Sequence, residues 1–136
     1  IVGAQMPIGA GLALANKFQA EDKSKMPIAV AMCGDGAVNQ GQVWEAMNIA
    51  KLWGLPYVNL VENNRYGMGT SVERSSANVN YYKQGGVVVP GVRIDGQDVL
   101  AVREGMKWVK SVVEQGNPMF VEIRTYRYHG NPMFVE

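Results

Sequence analysis

"MCGDGAVNQGQ", residues 32–42, is the stretch on which the fold reading turns. It follows the apolar run "IAVAMC" (28–33), closes that run with Gly34, Asp35 and Gly36, and leads at once into residues at helical spacing. A short apolar run bounded by glycine reads as a buried strand. A strand that ends on two glycines around one carboxylate, with a helix starting directly after, has the parts of a phosphate site. The glycines let backbone approach a ligand closely, and the helix N-terminus offers free N–H groups and positive dipole. Asp35 can hold a divalent cation that neutralises the phosphate. Taken alone, GDG is a common tight turn with the Asp as a helix-entry cap, and for the tripeptide by itself that is the simpler reading.

The flanks decide between the two. "GAQMPIGAGLALANKF" (3–18) carries small and apolar residues at helical spacing, and Gly9 and Gly11 allow another backbone to come close. "PIAVAMC" (27–33) and "PYVNLVE" (56–62) read as interior strands, each opened by proline. Between them "NQGQVWEAMNIAKLWG" (39–54) sets Val43, Met47, Ala50 and Trp53 three and four residues apart, with Gly54 as a stop. Further on, "VRIDG" (92–96) predicts a strand, Asp98 a cap for the helix "VLAVREGMKWVKSVVEQ" (99–115), and "PMFVEIRTY" (118–126) another strand. Strands alternating with helices predict an α/β fold, a mostly parallel sheet with helices on both faces.

The chain is 136 residues long, about one domain, and 47% hydrophobic with 18% charged residues, which is ordinary globular composition. A net charge of +1 gives no footprint for nucleic acid. The single cysteine, Cys33, excludes an intrachain disulfide and a cysteine-based zinc site. No apolar run approaches the roughly 20 residues of a membrane span.

In an open parallel sheet, ligands bind beyond the carboxyl ends of the strands. The GDG turn falls there, and so does the long segment 63–91, which lacks a clear period and reads as functional. It begins with Asn63 and Asn64, directly after the next predicted strand, and 26 residues separate Gly36 from Asn63, enough for one helix and one strand. Both motifs then emerge at the same edge of neighbouring strands. An Asp carboxylate, an Asn amide oxygen and a backbone carbonyl, completed by phosphate oxygens and water, make an octahedral site suited to Mg2+.

"GDGAVNQGQVWEAMNIAKLWGLP" together with "ENNRYGMGTSVERSSA" resembles the thiamine-diphosphate-dependent 2-oxoacid dehydrogenases, and within them the E1 alpha subunits of the pyruvate type; "IVGAQMPIGAGLALA", "RIDGQDVLAVRE" and "TYRYHG" extend the similarity over residues 1–130. The resemblance implies a thiamine-diphosphate-binding fold over a partial domain, 1–130. It implies that Asp35, the Asn64 side chain and the Tyr66 carbonyl coordinate Mg2+, that Gly36 and Ala37 touch the diphosphate through main chain, and that Val2 lines the cofactor. It further implies a beta subunit in an alpha2beta2 heterotetramer that supplies the activating glutamate, pyruvate as substrate, the lipoyl domain of E2 as acetyl acceptor, and the mitochondrial matrix in a eukaryote. Acetoin or branched-chain 2-oxoacid relatives are the alternative within the class, and a non-catalytic cofactor-binding fragment the alternative outside it.

Two further positions carry readings of both kinds. His129, the only histidine, is either a hydrogen bonder at a strand end or, as the resemblance implies, part of an active-site loop. Ser71 matches a serine that kinases modify in mammalian relatives, and a phosphate there would repel a diphosphate; a plain solvated loop serine is the simpler reading. Trp44, Trp53 and Trp108 read as core or interface. The sequence leaves the family pattern after His129, where a second His and a Ser are expected and Asn131 and Pro132 stand instead. "GNPMFVE" occurs at 116–122 and again at 130–136. The tail 131–136, repeating 117–122, therefore reads as a duplication or a sequence-assembly error rather than a repeat architecture. Asn131 cannot serve as acid or base near neutral pH, and Pro132 cannot accept phosphate.

Overall fold

A computed structural model describes residues 2–129, so the repeated tail at 131–136 lies outside the described residues. The chain runs α1 (Gln5–Gln19), β1 (Ala29–Gly34), α2 (Gly41–Leu52), β2 (Tyr57–Asn63), a small hairpin of β3 (Tyr66–Gly67) and β4 (Thr70–Ser71), α3 (Val72–Ser75), β5 (Gly91–Asp95), α4 (Val99–Val113) and β6 (Met119–Arg124). Four strands form one sheet in the order β1-β2-β6-β5, all parallel. The α/β reading and the parallel sheet hold.

Helices cover both faces. On one, Met6, Ala10 and Ala13 of α1 and Val43, Met47 and Ala50 of α2 pack with Ala29, Ala31, Tyr57, Val61 and Phe120 of the strands. On the other, Val109 and Val113 of α4 pack with Val58, Leu60, Ile94, Met119 and Val121. Fully burying a Val or Leu side chain is worth about 1.5–3 kcal/mol, so these two layers carry the fold. Asp98 caps α4 as expected, accepting from Leu100 N–H at 2.8 Å and Ala101 N–H at 3.2 Å.

Two expectations need correction. β1 is an edge strand among the described residues, pairing only with β2, and it is buried on one face only; Val30 and Met32 are 41% and 47% exposed on the other. α4 covers that second face chiefly at β5 and β6. The helix after GDG does not start at once, because a 3-10 turn at Ala37–Asn39 precedes α2. Of the three tryptophans, half-buried Trp44 stacks on Phe120 with centroids 5.9 Å apart, whereas Trp53, the C-cap of α2, and Trp108 of α4 are exposed.

The two glycines of α1 also part company. A Cβ on Gly9 would stand 2.6 Å from Ala31 Cβ and 3.0 Å from Tyr57 Cε2, whereas one on Gly11 would meet open space. Gly9→Ala should therefore destabilise the protein by about 1–3 kcal/mol, since neither neighbour is a flexible chain end. Gly11→Ala should stabilise it by about 0.5–1 kcal/mol through helix propensity. Urea melts of the two variants beside the parent check both signs.

One buried polar group sits badly. Asn59, in the middle of β2 between Ala31 and Phe120, is fully buried, and neither its Oδ1 nor its Nδ2 has a partner among the described residues. An unsatisfied buried amide costs about 1–3 kcal/mol. Asn59→Leu should raise the urea midpoint by an amount equivalent to about 1–2 kcal/mol, with the slope of the transition unchanged.

Candidate metal and phosphate site

The parallel register of β1 with β2 runs from Ala29↔Tyr57 to Gly34↔Glu62. It delivers Asp35 and the pair Asn63 and Asn64 to the same edge of the sheet, as the spacing predicts. β6 reaches that edge too, and Thr125 N–H continues the ladder by donating to Asn63 C=O at 2.9 Å.

Asp35 is buried at this edge, with 2% of its surface exposed and Oδ2 without a hydrogen-bond partner among the described residues. Burial pushes its carboxyl above the usual carboxylate range, and the N–H groups of Gly36 and Arg65 and the Arg127 guanidinium pull only partly the other way. The β3–β4 hairpin lies over it. A Cβ on Gly67 would come within 3.4 Å of Gly36 Cα and 3.9 Å of Asp35 Oδ1, and one on Gly36 within 3.6 Å of Gly67 Cα. A methyl at either position would fill the space between the two loops.

The two asparagines have different work. Asn63 is buried and committed: its Nδ2 donates to Glu122 Oε1 at 2.8 Å, and its Oδ1 accepts from Arg65 N–H at 3.0 Å. Asn64 is half-buried, and its Oδ1 accepts from Tyr66 N–H at 3.0 Å, which leaves a second lone pair. Arg65 and Met68 adopt positive φ, 74° and 56°, conformations that cost an L residue about 1–2 kcal/mol. Arg127 Nη1 donates to Met68 C=O at 2.7 Å and Nε to His129 C=O at 3.0 Å, so one guanidinium joins the hairpin to the segment after β6.

The remaining expected positions fall around this edge. Gly36 and Ala37 open the 3-10 turn. Val2 is exposed, and its C=O accepts from Gln40 Nε2, which stitches the start of the chain to the N-cap of α2. Tyr66 and His129 are exposed, and Ser71 is half-buried at the N-cap of α3. Glu122, Gly67 and Arg127 escaped the sequence reading. The signal for Glu122 was available: a lone acid inside the apolar strand "PMFVEI". A cavity of about 580 Å³, lined by Leu14, Lys17, Phe18, Lys23 and Trp53, lies where α1 and α2 end, at the opposite end of the sheet. Chemistry rather than cavity size locates the candidate site.

Among the described residues no three His, Cys, Asp or Glu side chains gather around a point. A cation here would be held by one carboxylate, an amide oxygen and a carbonyl, with the rest of its shell from the ligand and water, which is the mixed oxygen set Mg2+ accepts. The unpaired Asp35 Oδ2 fits that role. Because its pKa is raised in the folded state, the stabilising contribution of Asp35 is full below its ordinary value of 3.8 and is lost as pH rises through the folded value. Asp35→Asn, which cannot ionise, should therefore gain melting temperature over the metal-free parent as the pH is raised from 4 to 7. Thermal melts across that range with chelator present check the sign.

The sequence matches the family pattern of the dehydrogenase E1 component over residues 1–133. It is 52% identical over 134 residues to the pyruvate dehydrogenase E1 component subunit alpha, somatic form, mitochondrial, of Bos taurus, a match covering 98% of this chain and 33% of that protein. The corresponding Homo sapiens protein is 51% identical over the same shares, and a probable mitochondrial alpha subunit of Caenorhabditis elegans is 54% identical, covering 98% of this chain and 32% of that one. The chain spans about a third of the length of these curated relatives. No helix among the described residues is long and apolar enough to cross a membrane. A family match over nearly the whole chain, laid on a parallel sheet that carries GDG and ENN side by side, places this protein in the dehydrogenase E1 component family.

Proposed function

We propose that the chain is the diphosphate- and magnesium-binding part of an E1 alpha subunit, working with thiamine diphosphate in the oxidative decarboxylation of pyruvate and the transfer of the acetyl unit to the lipoyl domain of E2. The observation that carries this reading is buried Asp35, its Oδ2 without a partner among the described residues, beside the close approach of Gly36 and Gly67 and one residue beyond the last rung that joins β1 to β2. Asp35, the Asn64 side chain and the Tyr66 carbonyl would hold Mg2+. Gly36 and Ala37 would meet the diphosphate through main chain, with Val2 beside the cofactor. The named relatives, pyruvate dehydrogenase alpha subunits, favour pyruvate over acetoin or branched-chain substrates.

When bound, thiamine diphosphate supplies a carbanion and an electron sink for the keto acid; the protein supplies position and electrostatics. With Mg2+ bound, Asp35 would stay ionised, since the cation would replace the solvation that burial removes. Gly67 of the hairpin lies beside Asp35, which is buried from water. The segment that carries His129 is tied to the hairpin by Arg127. A phosphate on Ser71, four residues from Gly67, would set about two negative charges beside the diphosphate and oppose its binding.

The family role needs a beta subunit for the activating glutamate, and the exposed Tyr66, Met68, Tyr126 and Tyr128 around the site suit such a contact. The partial domain 1–130, an alpha2beta2 assembly and the mitochondrial matrix complete the proposal.

Calorimetry of thiamine diphosphate binding to the full-length protein assembled with its beta subunit tests it. Binding should require Mg2+, should require the beta subunit, and should fall at least a hundredfold in Asp35→Ala. Binding that survives chelator, or that Asp35→Ala leaves intact, would sink the proposed site.

A further inference from the structure

Glu122 is the one fully buried carboxylate among the described residues, and nothing in the proposed ligand set uses it. It sits on β6 opposite Val61, on the sheet face that carries α1 and α2, diagonal to Asn63. Its two oxygens are both taken by neutral donors. Oε1 accepts from Asn63 Nδ2 at 2.8 Å, and Oε2 accepts from the backbone N–H of Tyr82 at 3.0 Å. Its cross-strand neighbour Arg93 turns away, donating to Asn80 Oδ1 and lying over the Tyr82 ring.

We propose that Glu122 is a positioning residue for the cation site, acting through Asn63 on the turn that presents Asn64 and Tyr66 and through Tyr82 on the loop that supports the 3-10 turn after Gly36. The first limb is a chain of bonds. A carboxylate can only accept, so it fixes the Asn63 amide with nitrogen towards Glu122 and oxygen towards Arg65 N–H. That bond joins Arg65, at its positive φ, to Asn63, and the turn through Arg65 brings Tyr66 N–H onto Asn64 Oδ1. The second limb runs from Tyr82 N–H to the adjoining Tyr81, whose hydroxyl meets Ser76 Oγ at 2.8 Å; Asn39 Nδ2 donates to the same oxygen at 2.8 Å. Asn39 ends the 3-10 turn that Gly36 opens. One buried carboxylate thereby ties both loops of the site to the central strand pair. Two donors need two acceptors, which explains Glu at a fully buried position: a glutamine there would point N–H at either Asn63 or Tyr82.

This inference rests on the proposed thiamine diphosphate and Mg2+ site, and the test separates the two. In Glu122→Gln one donor is left facing another, and in Asn63→Asp two carboxylates face each other. In the double swap, Glu122→Gln with Asn63→Asp, the pattern closes again. The introduced amide donates through its nitrogen to the introduced carboxylate and accepts through its oxygen from Tyr82 N–H, while that carboxylate still accepts from Arg65 N–H. Calorimetry of thiamine diphosphate with Mg2+, on the full-length protein assembled with its beta subunit, should give at least tenfold weaker binding for each single variant. The double swap should recover to within threefold of wild type. A merely structural role, in which any change to the buried pair adds to the damage, predicts a double variant weaker than either single one. If Glu122→Gln does not fold, Asn63→Asp against the double swap decides by the same criterion. Singles that bind like wild type, or a double swap that fails to fold or to recover binding, overturn the positioning role. Wild type without Mg2+-dependent binding removes the site reading and this inference with it.

Discussion

The parallel pairing of β1 with β2, in the register that sets Gly34 against Glu62, is the constraint on which the rest of the structure depends. Both strands run the same way, so their carboxyl ends stop together and the residues that follow them meet. A slip of one residue would turn Asp35 and Asn63 to opposite faces, and a slip of two would separate them by about 7 Å. The packing fixes this register from within. Ala31 lies under Gly9 of α1 at a distance that tolerates no side chain, and Tyr57 Oη donates to Met6 C=O, so the helix reads the alignment of both strands at once.

Around that register, the costs gather at one end of the sheet. Arg65 and Met68 sit at positive φ, Asp35 is buried with an unpaired oxygen, and Glu122 is buried as an acid. The opposite end is ordinary: Lys17 closes the α1 and α2 termini by donating to the carbonyls of Trp53 and Gly54, and the groove there carries no buried charge. Strain and unsolvated charge concentrated on one edge, over an otherwise apolar sheet, are what the proposed ligand site would account for. Asn59 is the exception, a buried amide far from that edge for which the structure offers no account.

Much of this was legible in the residues. The β2 run "YVNLVEN" is largely apolar and is buried at every position but Glu62, and the Asp98 cap and α4 follow directly from capping and periodicity. The edge position of β1 was not legible, because a one-sided strand and a two-sided one look alike when the exposed positions are Val30 and Met32. Segment 63–91 hid its short elements because their order comes from long-range bonds, Glu122 to Tyr82 and Arg127 to Met68, which no local period records. At the site, chemistry singled out Asp35 and Asn64. The division of labour between Asn63 and Asn64 needed the position of Glu122, 59 residues further along the chain and adjacent in the sheet.

The unpaired oxygen of Asp35 has a bearing on how long the molecule survives in a cell. A buried charge without a partner raises the population of opened forms, and opened forms are what proteases cut when opening and closing are fast. On the proposed reading, a ligand bound with its cation at Asp35 would draw the molecule back towards the closed form by about 1.4 kcal/mol for each tenfold excess over its dissociation constant. On the proposed reading, nutritional supply of the vitamin would set the half-life of the protein as well as its occupancy. Abundance would then track the cofactor without any dedicated sensor.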